Sequence, residues 1–503
     1  MNNFQELTDF LDKYNKEYTI HSDCVEVKGN LALGGSNLTS LPESFGNLKI
    51  GGCLILTNNK LTSLPESFGY LKVGDDLLLT NNNLTSLPES FGNLKIGHLF
   101  LGNNILTSLP ESFGNLKIGG DLYLDGNKLT SLPESFGNLK IGGYLSLHDN
   151  NLTYLPESFG NLKIGGVLWL RDNILTSLPE SFGNLKIGGD LYLDGNNLKS
   201  LPESFGNLKI GGGLYLEHNN LTSLPDSFGN LKIGGYLNLG YNKLVSLPES
   251  FCNLKISGGL MLYHNKLTTL PESFGNLKIG GDLRLYNNEL TSLPESFGNL
   301  KIGGCLGLEY NNLTSLPESF GNLKIGSSLW LDNNNLTYLP ESFGNLKIGG
   351  SLWIDNNNLT FKPTIYSMNQ TIEKDWCYID RIVREIVSRK KIGDLSVIKT
   401  HFDYIVGAKD TWAHGRTIED AIQDYNFKLM QANPDVLKDL DLDKPMSHEE
   451  AINVYRTITR ACREGIRQWM SGKTFPEQIT IREIINLTQS AYGGDKFKQF
   501  FNQ

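Results

Sequence analysis

Cysteine is scarce in this 503-residue chain, long apolar runs are absent, and positive charge is nowhere concentrated. The six cysteines, Cys24, Cys53, Cys252, Cys305, Cys377 and Cys462, lie far apart and form no CxxC pair. That spacing offers neither a disulfide framework nor a thiolate metal centre, and it fits a reducing, cytoplasmic setting. No stretch approaches the roughly 18 apolar residues that a bilayer-spanning helix needs, so a soluble protein without a membrane segment is expected. Met1 to Ile20 lacks the basic and apolar regions of a signal peptide and carries Glu6, Asp9, Asp12 and Glu17 instead. The longest basic stretch is Arg389-Lys390-Lys391 and the formal net charge is −9, which argues against a phosphate-neutralising nucleic-acid surface.

What the chain has in abundance is repetition. From Leu38 onward a unit such as LTSLPESFGNLKIGGDLYLDGNN recurs, its leading leucine falling at Leu129, Leu152, Leu175, Leu198 and so on to Leu359, with one shorter step from Leu84 to Leu106. Each unit contains LxLxxNxL, as in Leu122-Tyr123-Leu124-Asp125-Gly126-Asn127-Lys128-Leu129. Alternation in LxL sends both leucines to one face and the intervening residue to the other, the period of a short strand. The recurring asparagine, Asn59 to Asn357, is expected to turn inward and satisfy backbone groups of its own and the next unit. In the return path LPESFGN, proline sits where no sheet hydrogen bond is needed, and Phe45 to Phe343 can stack as a second buried spine. No unit can bury both spines alone, so neighbours stabilise one another as in a one-dimensional solenoid.

These motifs resemble the leucine-rich repeat family over about residues 31–360. The resemblance implies an α/β solenoid: a horseshoe with a parallel concave sheet over residues 31–363, here followed by a small α+β domain at 364–503. A helix at about Phe4 to Tyr14 within residues 1–30 is expected to cap the first unit. One departure stands out, since Ile-Gly-Gly-x-Leu-x-Leu (Ile118 to Leu124) replaces the family's LxxLxL and predicts a bulge or bend at the glycine pair.

In this family the x positions of LxLxx form the concave binding surface, and here they vary. Between the strand leucines stand Phe100, Tyr123, Trp169, Tyr192, Tyr215, Arg284, Trp330 and Trp353, and one step outward Arg171, Asp194, Glu217, Asp332 and Asp355. Rigid aromatics beside carboxylates suit a protein-binding surface, and a protein partner is expected there. The competing reading is that these rings merely cover the sheet and stack on each other. His148, His218 and His264 have unlike neighbours, so neither a metal nor another cofactor is expected. The ladder of Glu and Lys in PESFGNLK reads as a solvated face.

After Phe361-Lys362-Pro363 the repetition stops. Tyr378 to Ala408, with a turn signal at Gly393-Asp394, predicts two or three antiparallel strands. Three helices should follow: from Thr417 to about Met430, after the capping box Ser447-His448-Glu449-Glu450, and after Thr480-Ile481-Arg482-Glu483. Pieces such as 412–417, 457–465 and 491–494 resemble uncharacterised proteins of gut bacteria and their phages. A nucleophilic Cys462 or Cys377, with His414, His401 or His448 as base and Asp380, Asp403, Asp410 or Asp424 to orient it, is conceivable, but the spacing favours none. Cys462 shares the apolar stripe of Ile458, Ile466 and Trp469, as a buried thiol would. His414-Gly415, read as a turn before a helix N-terminus, offers an anion site with Arg416. Bacterial effector ubiquitin ligases also place leucine-rich repeats before a catalytic domain with a Cys-x-Asp motif, which is absent here. The expectation is therefore a non-enzymatic recognition scaffold of unknown oligomeric state, with an effector-type enzyme, ubiquitin-ligase-like or cysteine-dependent, as the alternative.

Overall fold

The computed structural model describes residues 4–359 and, beyond them, 376–379, 382–392, 395–400, 404–408, 411–415, parts of 417–428, 437–438, 440–459, 478–488 and 494–501. Two compact units emerge, 1–350 with 356–359, and 351–355 with 360–503. The boundary expected near 363 falls outside the described residues.

In the repeat unit of residues 191–212, the strand Leu191–Tyr192 leads through a turn to Asn196 and then to Pro202, whose extended backbone opens the short 3-10 helix Glu203–Asn207. A second strand, Lys209–Ile210, follows before the glycine pair. Leu191, Leu193, Leu198, Phe205, Leu208 and Ile210 are buried while Lys209 is exposed. Repetition aligns the first strands into a 15-stranded sheet running in chain order from Leu31–Ala32 to Leu352–Trp353. Its pairings are parallel and in register, Leu191 opposite Leu168 and Leu214. Parallel pairing between successive units follows because each unit completes a full turn before adding its strand.

The asparagine ladder is present, with one difference in direction. Asn196 donates to Leu193 O of its own unit and to Leu170 O of the preceding one, at 3.1 and 3.0 Å, and its Oδ1 accepts from Leu175 N at 3.0 Å. The bonds therefore reach back to the preceding unit rather than forward. The amide sits at the end of its strand, where the earlier unit's turn exposes its backbone groups.

The phenylalanine spine also forms. Its rings stack nearly parallel, with centroids 5.9 to 6.2 Å apart along Phe45 to Phe159, and similar spacing continues to Phe251. Among the described residues a second run covers Phe274 to Phe343. The gap between Phe251 and Phe274 lies where Cys252 replaces the repeat's glycine. At the equivalent Gly206 a Cβ would stand 2.1 Å from Ser227 O of the next unit, so a side chain there forces the neighbour away. Accordingly the next 3-10 helix shortens to Phe274–Asn276, and Ser273 Oγ donates to the Glu249 carboxylate instead of the backbone carbonyl used in other units.

The bend expected at the glycine pair is present, and the Lys-Ile segment just before it adds an outer strip of paired strands. Within each run of the strip, Lys-Ile of one unit pairs in parallel with that of the next, and the chain bends at the glycines that follow. The first glycine is required by crowding: a Cβ on Gly165 would lie 2.0 Å from Gly142 O. Where the next unit packs on the shorter one, the equivalent crowding is relieved, and a Cβ on Gly119 would meet only Gly97 O at 4.0 Å.

At the N-terminus the helix Gln5–Lys13 buries Leu7 and Leu11, and Phe10 meets Phe45 edge-on at 5.8 Å. Residues 1–30 also hold a hairpin, Thr19–Ile20 with Val25–Val27, which extends the outer strip by pairing with Leu48–Ile50.

The second unit contains a five-stranded antiparallel sheet in chain order, Trp376–Ile379, Ile382–Ile392, Leu395–Thr400, Tyr404–Ala408 and Thr411–Gly415, more strands than expected. Helices His448–Thr459, Ile481–Leu487 and Gly494–Phe501 share a core that includes Val454, Tyr455, Ile458, Ile481 and Phe497. Both capping boxes form: Glu450 N donates to Ser447 Oγ at 3.3 Å, and Glu483 N to Thr480 Oγ1 at 3.2 Å. Asp420 N donates to Thr417 Oγ1 at 3.1 Å, so a helix also begins there. His414 lies on a strand opposite Ile405 and not in a turn, because the sheet continues through Gly415. Cys377 lies on the first strand. Cys462, His401, Arg416, Ile466, Trp469, Asp380, Asp403, Asp410 and Asp424 fall outside the described residues.

Candidate functional site

The strand period that buries Leu191 and Leu193 forces Tyr192 and Asp194 onto the opposite, concave face. Parallel register then places Trp169, Tyr192 and Tyr215 side by side. Tyr192 and Tyr215 stack at 4.5 Å with rings 5° from parallel, and Trp169 lies 6.3 Å from Tyr192. Tyr144, from the position before the strand, meets Trp169 edge-on at 5.5 Å. Tyr192 Oη donates to Asp190 Oδ2 at 3.3 Å, and burial drives the Tyr192 hydroxyl well above its usual range and also raises that of Tyr215, with Asp190 adding to both.

The remaining expected residues fall into separate groups. Phe100 and Tyr123 stack at 5.0 Å, and buried Ser146 divides them from Trp169. Arg171 is exposed, with its Nε 3.9 Å from Asp172. Arg284 lays its guanidinium 4.4 Å over the Trp330 ring while bonding Asp282 at 2.9 Å. Asp332 accepts from Asn333 Nδ2 at 2.6 Å. Trp353 and Asp355 are half-buried at the last strand.

Three carboxylate oxygens stand out: Asp194 Oδ1, Glu217 Oε2 and Glu309 Oε2 are shielded from water and have no hydrogen-bond partner. Burial pushes Glu217 and Glu309 up to about 7. Asp194 is also raised, first by burial and then by Asp172, with Arg171 and His218 opposing. The charge acting on Glu217 is that of Asp194; on Glu309 it is first that of Asp332, which raises it further, and then that of Arg284, which opposes. Perturbed carboxylates on an open face make it a candidate functional surface.

A neighbouring aromatic group was not anticipated. His218, Tyr241 and His264 occupy the left-handed turn position, at φ 53, 49 and 51°, where other units use Asn, Asp, Gly or, at Tyr310, tyrosine. Bulky residues there carry backbone strain, yet these three rings stack at 4.3 and 4.2 Å. Tyr263 and Tyr286 stack beside them at 4.9 Å, and Tyr263 and His264 meet edge-on at 6.0 Å. The signal was legible as a change of residue type at one fixed repeat position. Among the described residues no group of three or more His, Cys, Asp or Glu gathers to hold a metal, and no helix is long and apolar enough to cross a membrane.

The family model described as Leucine Rich Repeat matches residues 121–139, 213–231 and 327–346. A solved leucine-rich repeat protein of Leptospira interrogans is similar at 35% identity, over 66% of this chain and 91% of that one, with a TM-score of 0.51. A chain of the glycosylated Drosophila Toll–Spatzle complex is similar at 20% identity, over 75% of this chain but only 57% of that one, with a TM-score of 0.49. YopM from Yersinia enterocolitica is similar at 23% identity, over 71% and 90% of the two chains, with a TM-score of 0.26. No curated protein matches. With fifteen in-register strands, the asparagine ladder, the family-model matches and the 35% identity to the Leptospira interrogans protein, the chain belongs to the leucine-rich repeat family.

Proposed function

We propose that this protein is a non-enzymatic recognition scaffold that captures a protein partner on the concave face of its repeats. Leucine-rich repeat proteins commonly recognise other proteins, and the family supports that much. The observation that carries the finer reading is the row Trp169, Tyr192 and Tyr215, pre-stacked beside the half-buried carboxylates Asp194 and Glu217. Stacked rings lose little freedom on binding, which favours them as contact residues. The same reading places the protein in the cytoplasm, where free thiols such as Cys24 and Cys252 persist.

The test is an affinity capture from lysate with the full chain against its Trp169→Ala/Tyr192→Ala/Tyr215→Ala variant, with thermal melting to verify that the variant folds. A partner held by the native chain and lost from the folded variant supports the reading. A partner held equally by both removes it.

A further inference from the structure

We infer that the outer Lys-Ile strip is a second binding surface, and that its ligand is an extended acidic segment of a polypeptide, rich in Asp and Glu, laid along the row of lysines from Lys140 to Lys232. This surface is separate from the concave site and does not depend on it.

Strand register builds the row. Lys140, Lys163, Lys186, Lys209 and Lys232 stand one beside the next on paired parallel strands, all of them exposed. Neighbouring lysines therefore start roughly 4.8 Å apart. Among the described residues none of the five forms an ion pair, whereas Lys49, at the start of the strip, is paired with Glu26 at 2.8 Å. The repeat's own acids do not neutralise the row. Glu134, Glu157 and Glu180 turn their carboxylates to the next unit, where they accept from the backbone N–H of Ser158, Ser181 and Ser204 at 3.4, 3.4 and 3.3 Å. A column of like charges with no counter-charge of its own attracts a polyanion, and does so more strongly at low salt.

Shape and lining narrow the polyanion to a polypeptide. The row borders an open groove of about 1100 Å³ that runs from Ile141 to Lys255. A further stretch of about 810 Å³ shares Lys255 and continues the groove to Lys301. Lysine, isoleucine, leucine, glycine, asparagine and one serine line it, with no arginine, no acid and no aromatic ring. A single-stranded nucleic acid needs rings on which its bases stack, and phosphate is best held by the arginine fork, so neither of its usual anchors is present. The exposed glycine after each isoleucine adds no side chain to fill the groove, which leaves room for a main chain. An extended peptide presents alternate side chains on one face every roughly 6.6–6.8 Å. Lysine, a point charge on a flexible four-carbon stem, reaches carboxylates at that spacing without demanding a fixed geometry.

The test measures binding of a labelled, capped deca-glutamate peptide to the full chain by fluorescence anisotropy at about 0.15 M salt, beside a labelled oligothymidine. The native chain should bind deca-glutamate, and bind it more tightly than the oligonucleotide. Lys163→Gln/Lys186→Gln/Lys209→Gln/Lys232→Gln should weaken that binding about tenfold, while arginine at the same four positions should retain it. Lys128→Gln/Lys199→Gln/Lys243→Gln/Lys266→Gln, which removes four exposed lysines elsewhere on the repeats, should leave it unchanged. The Trp169/Tyr192/Tyr215 variant should also bind deca-glutamate as the native chain does, so that loss of the lysate partner and loss of the peptide are separate outcomes. Thermal melting verifies that each variant folds, and if the fourfold variant does not, Lys186→Gln/Lys209→Gln gives the same comparison with a smaller loss. No binding of deca-glutamate by the native chain, equal weakening by the two lysine sets, or tighter binding of oligothymidine overturns the inference.

Discussion

The two faces of the solenoid respond differently to the same irregularities. On the concave side fifteen strands run without interruption past the one shorter unit and past Cys252. The outer Lys-Ile strip breaks into four sheets, between Lys72–Val73 and Lys95–Ile96, between Lys117–Ile118 and Lys140–Ile141, and between Lys232–Ile233 and Lys255–Ile256. The first break adjoins the shorter unit, the second lies one unit beyond it, and the third adjoins Cys252 and Ser257, which both stand in glycine positions. Continuity on the concave side comes from leucine burial and the asparagine ladder, which each unit carries in full. The outer side depends on glycines that let one backbone touch the next, so a single side chain interrupts it. The concave strands are thereby held in register while the outer strip absorbs the sequence variation.

The largest effect should come from the continuous face. Leu193→Ala truncates a fully buried strand leucine and should cost about 2–5 kcal/mol in denaturant unfolding. A negligible loss would mean that the inward leucine spine does not sustain the sheet. On the outer side, Gly206→Cys should reproduce in an ordinary unit the interruption seen at Cys252, costing about 1–3 kcal/mol by overpacking. In the opposite direction, Cys252→Gly should raise hydrogen-exchange protection across 249–257 and join the two runs of the phenylalanine spine. An unchanged exchange pattern would assign the interruption to something other than the missing glycine.

A gentler test uses pH. Glu217 and Glu309 are raised from 4.5 to about 7 in the folded chain. Between those values the folded state holds protons that the unfolded state has released, so their contribution to stability is present below about 4.5 and is lost as pH rises through 7. The urea midpoint should therefore be lower at pH 8 than at pH 5, and Glu217→Gln/Glu309→Gln should flatten that slope. A slope identical in the variant would show that these carboxylates are not shielded as described. The smallest stability effect is expected at the surface itself: Tyr192→Ala/Tyr215→Ala should lose only about 0.5–1.5 kcal/mol, the worth of one stacked pair.

Much of this architecture was legible in the sequence because the repeat averages out local ambiguity. The inward LxL leucines, the asparagines and the phenylalanine spine each recur at a fixed position, and their roles follow from periodicity alone. The Lys-Ile strands were not legible, since two residues cannot display an alternation and the flanking glycines resemble a bend. Of the concave surface, the identities and the column were readable, but the stacking of Tyr192 on Tyr215 and the shielding of Glu217 depend on distances between units. The His218, Tyr241 and His264 rings were visible only as unlike neighbours, because the left-handed backbone that aligns them is a property of the turn. Beyond the repeats, the capping boxes at Ser447 and Thr480 located two helices from their chemistry. Gly494–Phe501 has no such start signal, and its glycines read as loop.

The central claim is that the concave aromatic row is where a partner binds. Hydrogen–deuterium exchange of the full chain, with and without the captured partner, tests it most directly. The account predicts added protection on the strands and turns from Leu168 to Glu217, including Trp169, Tyr192 and Tyr215. Protection confined to the outer Lys-Ile strip or to residues 376–501 would contradict it.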